Sequence, residues 1–164
     1  MIGFATTSTI SYTINQLAAA PPPEPAPPVV DMFRYNNSSF KHHFYTTNFN
    51  EQGYGGSGGW AYEGIVFHVL GSQQSGTVPL YRYYASSTHD HFYTTDFSEL
   101  GNGGSGYVLE ETQCYVYPTQ QSGTIPLYRY RNLLNGEHFY TTDINEVGGN
   151  PGFVLEKIQA YVLP

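Results

Sequence analysis

His-Phe-Tyr-Thr-Thr occurs three times in this chain, at residues 43–47, 91–95 and 138–142, and most of what the chain can become follows from that recurrence. Nine positions before each His stands an arginine, in Met32-Phe33-Arg34-Tyr35, Leu80-Tyr81-Arg82-Tyr83 and Leu127-Tyr128-Arg129-Tyr130. Eight residues after it comes Glu51, Glu99 or Glu146, followed by a glycine-rich stretch. Trp60-Ala61-Tyr62-Glu63, Tyr107-Val108-Leu109-Glu110 and Phe153-Val154-Leu155-Glu156 then align, each leading into a β-prone run that ends at Leu70, Tyr117 or Leu163. The connector Gln73-Gln74-Ser75-Gly76-Thr77 returns as Gln120-Gln121-Ser122-Gly123-Thr124. Arg34 to Arg82 spans 48 residues and Arg82 to Arg129 spans 47, so the chain holds three copies of one unit, at 29–77, 78–124 and 125–164.

Within the second unit the pattern predicts four short strands, Val78 to Tyr84, His91 to Asp96, Gly106 to Glu111 and Gln113 to Tyr117. They are rich in Tyr, Val, Phe and Thr and separated by Ser, Asn, Asp and Gly. No window carries a sustained helical period. Two hairpins cannot cover their own apolar face, so the units must share one core. The expected fold is all-β, a β-trefoil made of three four-strand repeats of about 47 residues. A propeller has the same strand count per blade but needs about four to eight blades, and ranks second. Phe44, Phe92, Phe139, Val69, Val116 and Val162 are expected in the core, with Cys114 opposite its counterparts Phe67 and Ala160. The aromatic residues flanking each Arg are expected there too, and Tyr45, Tyr93 and Tyr140 at the surface.

Ahead of the repeats, six of the eight residues from Pro21 to Pro28 are proline, which favours an extended spacer, so 1–28 reads as an arm outside the domain. The segment Met1 to Ala20 has no Lys or Arg and its apolar residues are interrupted by polar ones, which describes neither a signal peptide nor a membrane span. A cytoplasmic or non-conventionally released protein is favoured over a secreted one. Six Lys and Arg stand against 13 Asp and Glu, a formal charge of −7 that disfavours nucleic acid and acidic membrane faces as partners. Cys114 is the single cysteine, so no internal disulfide forms.

Charged residues are only 12% of the chain, which makes the recurring Arg, His and Glu conspicuous. A sugar needs donors and acceptors for its hydroxyls and an aromatic ring for its apolar face. The candidate ligand-binding set is therefore Arg34, His43, Tyr45, Trp60 and Glu63 in the first unit, Arg82, His91, Tyr93, Tyr107 and Glu110 in the second, and Arg129, His138, Tyr140, Phe153 and Glu156 in the third. The same Arg and Glu can equally form an internal network that pins each hairpin in place. His42-His43 and His89-x-His91 raise the question of a metal, but the third unit has only His138 and no further ligand recurs, so neither metal nor cofactor is expected. The stretches 55–59 and 101–106 lack the Gly-Lys-Ser/Thr ending of a phosphate loop and read as hairpin loops. No nucleophile elbow and no asymmetric acidic pair is present, and three near-equal copies argue for repeated binding over catalysis.

The Tyr-Arg-Tyr and His-Phe-Tyr-Thr-Thr strings, with Gly59-Trp60-Ala61-Tyr62-Glu63-Gly64, resemble a family of tyrosine-rich repeat modules. Those modules occur in triplicate on bacterial cell-surface proteins and wall hydrolases and as small stand-alone fungal proteins. The resemblance covers 29–164 and implies a β-trefoil with a lectin-like or surface-attachment role. Glu111 and Lys157 replace Gly64 in the later repeats, which points to the first repeat for a site built on Trp60. The expected function is a lectin-like protein with up to three equivalent glycan pockets. The alternative is a proteinase inhibitor or protein-interaction module working through one odd loop, such as Leu133-Leu134 in the third unit.

Overall fold

The computed structural model describes Gly3 and residues 28–164, and the expectations for the rest of the arm lie outside the described residues. The described part is all-β. Its strands are β1 Val29–Asn37, β2 His42–Thr46, β3 Trp60–Leu70, β4 Val78–Ala85, β5 Asp90–Thr94, β6 Gly103–Gly104, β7 Tyr107–Val116, β8 Ile125–Asn132, β9 His138–Thr141 and β10 Phe153–Val162. All pairings are antiparallel. The helical pieces among the described residues are single 3-10 turns of three residues each.

Each unit is a sheet whose first strand lies in the middle, paired with its second strand on one side and its third on the other. The four strands expected per unit are three long ones. The break foreseen near Thr112 is a β-bulge inside β7, because a bulge interrupts the ladder without ending the strand. Two register shifts recur in every unit, at equivalent places on either side of the arginine.

The sheets do not close on one another. Leu70 pairs with Tyr115, Tyr117 exchanges both backbone hydrogen bonds with Tyr161, and His68 does so with Leu163, so the units meet at the C-terminal ends of β3, β7 and β10. Behind these contacts the core is stacked in triplets: Met32, Leu80 and Leu127, then Phe67, Cys114 and Ala160, then Val69, Val116 and Val162. In the second triplet one large side chain faces two small ones, so Cys114 is a small apolar filler. Burial pushes its thiol pKa up, away from reactivity.

The fourth triplet corrects an expectation. Tyr45, Tyr93 and Tyr140 are at most 2% exposed. Each hydroxyl donates to the backbone carbonyl of another member and accepts that residue's N–H: Tyr93 is bonded to the backbone of Tyr45, Tyr140 to that of Tyr93, and Tyr45 to that of Tyr140, at 2.6–3.0 Å. Edge-to-face ring centroids lie 5.2–5.6 Å apart, a favoured aromatic geometry. A closed ring of hydroxyls and backbone leaves these tyrosines nothing to offer a ligand. The residues flanking each Arg also divide. Tyr35, Tyr83 and Tyr130 are buried and donate to the carbonyls of Gly53, Gly101 and Ile144, while Phe33, Tyr81 and Tyr128 are only half-buried.

Candidate functional site

The extra residues of the bulges lie on the strand opposite each arginine (Glu63 and Val66, Glu110 and Gln113, Glu156 and Gln159), while the arginine side chain itself crosses to the neighbouring unit. Arg82 donates from both terminal nitrogens to Glu51 of the first unit at 3.2 and 3.0 Å, and from Nε to its own Glu110 at 2.8 Å. Arg129 repeats this on Glu99 at 3.1 Å twice and on Glu156 at 2.7 Å. Arg34 completes the cycle, with Nη2 2.8 Å from Glu146 of the third unit and Nε donating to Glu63 at 2.6 Å. Beneath the guanidiniums, at 4.7–5.3 Å, lie the rings of Phe44, Phe92 and Phe139, each from the unit being crossed to. Gln113 and Gln159 accept a further bond from Arg82 and Arg129 and donate to Thr47 and Thr95; Val66 holds that position in the first unit. Burial works against these charges, but the facing glutamates outweigh it and raise all three arginine pKa values. Nearly every guanidinium N–H of Arg82 and Arg129 is therefore engaged in tying one unit to the next.

The remaining candidates gather at the same seams, but not by unit. Trp60 of the first unit lies over Phe44 and beside His91, with centroids 5.7 and 6.1 Å away, so it joins Arg82, His91 and Glu110 of the second unit and not Arg34, His43 and Glu63. Tyr107 likewise joins Arg129, His138 and Glu156. Phe153 packs on Phe139, whose ring meets His43 of the first unit. The glycine loops set these aromatics. At Gly55 a Cβ would come 2.6 Å from the Trp60 carbonyl, and at Gly103 it would come 2.8 Å from that of Tyr107; both have positive φ.

Each seam's histidine meets a residue the sequence reading passed over, at the position just before the neighbour's own His. His138 donates from Nδ1 to Asp90 at 2.6 Å, and Tyr107 donates to the same carboxylate oxygen. His43 does the same to Glu137. At the seam between the first and second units, called the middle seam below, that place is taken by His42, and Nδ1 of His91 has no hydrogen-bond partner. Burial, then the charge of Arg82, pushes His91 down to about 3. Burial opposes the charge of Asp90, but its donors outweigh it and hold it at about 2. Glu99 is held at about 2 in the same way, by Arg129 above all. The acidic residue at that position in two of three repeats was the available signal.

The seams differ at their mouths. Between the first and second units, Phe40 stacks on His89 with centroids 3.8 Å apart and planes 9° from parallel. Between the third and first, Asn135 donates to the carbonyl of Lys41 at 2.7 Å. The equivalent pair between the second and third units is Thr88 and Gly136, both small, and there the cleft stands open. Its volume is about 570 Å³, against about 170 Å³ at the middle seam. The clefts are thus unequal, which corrects the expectation of equivalent pockets, and Trp60 lines the smaller one. The open cleft is lined by Phe92, Tyr107, His138, Glu156, Arg131 and the hydroxyl residues Ser87, Thr88 and Ser105. Among the described residues no group of three or more His, Cys, Asp or Glu is arranged to hold a metal ion.

A family described as "Domain of unknown function (DUF5648)" matches residues 10–163. The chain belongs to this family. The match begins within the arm, so the family's extent includes the proline run as well as the three units. No curated protein and no solved structure matches the chain.

Proposed function

We propose that the protein is a lectin-like carbohydrate-binding module that does no chemistry, with a β-trefoil-like arrangement of its units and its principal pocket at the seam between the second and third. The observation that carries this reading is the open cleft of about 570 Å³. That volume falls within the range of about 300–1,000 Å³ typical of small-molecule sites, whereas the middle cleft falls below it. Tyr107 supplies an apolar ring, and hydroxyls, imidazole and carboxylate at the rim supply both donors and acceptors, which is what a pyranose requires. The resemblance to tyrosine-rich surface modules agrees with this, and the acidic net charge points away from nucleic acid. Glu99 and Glu156 beside the cleft are both bonded to Arg129 and the cysteine is buried in the core, so none of them is free to act as an acid or nucleophile.

The mouth provides the test. Thr88→Phe with Gly136→His transplants the stacked pair of the middle seam onto the open one; His89 itself has φ 60°, so a side chain is accepted at that backbone position. The double variant is expected to keep its melting temperature and lose glycan binding on an array and by calorimetry. Undiminished binding by the folded variant would remove the cleft as the site. A second reading rests on Leu133 and Leu134, which are 63% and 87% exposed and form an apolar tip suited to a protein partner. If Leu133→Ser with Leu134→Ser abolishes capture of a protein ligand and the array stays blank, that reading replaces the first.

A further inference from the structure

We propose that the open cleft selects sugars bearing a carboxylate, and that Arg131 is the residue that reads it; this rests on the carbohydrate reading of the cleft. Arg131 lies one position after Tyr130 on β8, where the other units have Asn36 and Tyr84. Both of those side chains are committed within their own seams. Asn36 meets Nε2 of His43 at 3.0 Å, and Tyr84 packs its ring on His91 and reaches Nδ1 of His89 at 3.2 Å. Arg131 is different. It is exposed and lines the cleft, and among the described residues it makes no ion pair or side-chain hydrogen bond, whereas Arg34, Arg82, Arg129 and Lys157 all have carboxylate partners.

The acidic groups around the cleft do not cancel it. Glu156 and Glu99 are bound by Arg129, Glu99 is also 3.2 Å from Lys157, and Asp90 is buried under His138 and Tyr107. The carboxylates are matched and one guanidinium is left over, facing a space large enough for a sugar. A planar fork of N–H donors is suited to a planar carboxylate, which it binds through two parallel charge-assisted hydrogen bonds. Ser87, Thr88 and Ser105 then face the ring hydroxyls, and Tyr107 the ring itself. A single unpaired guanidinium in the cleft, on a chain of net charge −7, suits a single acidic group and not a densely charged polymer.

The experiment is calorimetry on the full chain at pH 7 with the methyl glycosides of glucuronic and galacturonic acid, the matching neutral glycosides, a 6-sulfated hexose, and acetate. A uronide is expected to bind about ten- to hundred-fold more tightly than its neutral partner, the range of a charge-assisted pair. Arg131→Gln is expected to remove that difference without lowering the melting temperature, and Arg131→Lys to restore only part of it. Equal affinity for acidic and neutral sugars would overturn the role of Arg131 and leave the carbohydrate reading standing. A sulfated sugar that outbinds both uronides would overturn the carboxylate assignment. Acetate binding as tightly as a uronide would overturn the sugar, and no binding of any sugar would overturn both readings together.

Discussion

Removing one hydroxyl from the tyrosine ring tests the core directly. In Tyr93→Phe the side-chain volume barely changes, but the N–H and the carbonyl of Tyr45 both lose their partner in a fully buried site. A buried polar group left unsatisfied costs about 1–3 kcal/mol, so the pair is expected to cost about 2–6 kcal/mol. A domain of this size is stable by only about 5–15 kcal/mol. At about 2–4 °C per kcal/mol the melting temperature should fall by about 4–24 °C. Tyr83→Phe is the internal control, since its hydroxyl makes a single bond, to the carbonyl of Gly101 in a part-buried loop where water can substitute. It should cost about 0.5–1.5 kcal/mol. Urea unfolding of both variants, followed by circular dichroism, measures the difference. A loss below about 1 kcal/mol for Tyr93→Phe, or no larger than that of Tyr83→Phe, would refute the claim that the ring is an energetic unit.

Two further outcomes follow from the seams. Arg82→Ala leaves Glu51, Glu110 and Gln113 without their shared cation and should cost about 3–5 kcal/mol in urea unfolding, with Arg82→Lys a poor rescue because an ammonium cannot supply the fork; a loss under about 1 kcal/mol would show that the tie is dispensable. His91 has a folded pKa of about 3, far below its ordinary 6.5, so the unfolded chain takes up the proton first and stability falls as pH drops from about 6.5 toward 3. Glu99 and Asp90, depressed to about 2, add a second loss as pH falls from about 4 toward 2. Melting temperatures from pH 7 to 3 should show the first decline in wild type and a flatter one in His91→Gln, and an unchanged wild-type value between pH 7 and 5 would sink the assignment.

The repeat made the units, their all-β character and much of the core legible, because Phe44, Val69 and Cys114 and their counterparts recur at fixed places and are all buried. Why Tyr45, Tyr93 and Tyr140 were misplaced is equally physical. Alternation puts Phe44 and Tyr45 on opposite faces, and one face was assumed wet, yet β2 and β5 are covered on both faces, one by the axial core and the other by a crossing arginine. The Arg, His and Glu stood out by recurring where charge is scarce, but spacing along the chain suggests partners inside a unit. It cannot reveal that Arg82 meets Glu51, 31 positions back and in the neighbouring unit. The one open cleft depended on the smallness of Thr88 and Gly136, which carries no signal until their counterparts Phe40 and His89 are seen to touch.

Among the described residues, no peptide runs across the seam between the third and first units. Arg34 reaches Glu146, and His68 meets Leu163, between the first and last thirds of the chain, with the same kinds of bond that join sequential neighbours. Connectivity is therefore incidental to the assembly, and cyclic order is what it obeys. A gene cut within the 73–77 connector and rejoined elsewhere would encode the same three seams. A lone unit, by contrast, is a piece with two unmatched edges, bearing a tyrosine hydroxyl with no carbonyl to meet and an arginine with half its carboxylates. Such a fragment is expected to fold only by finding two more copies of itself.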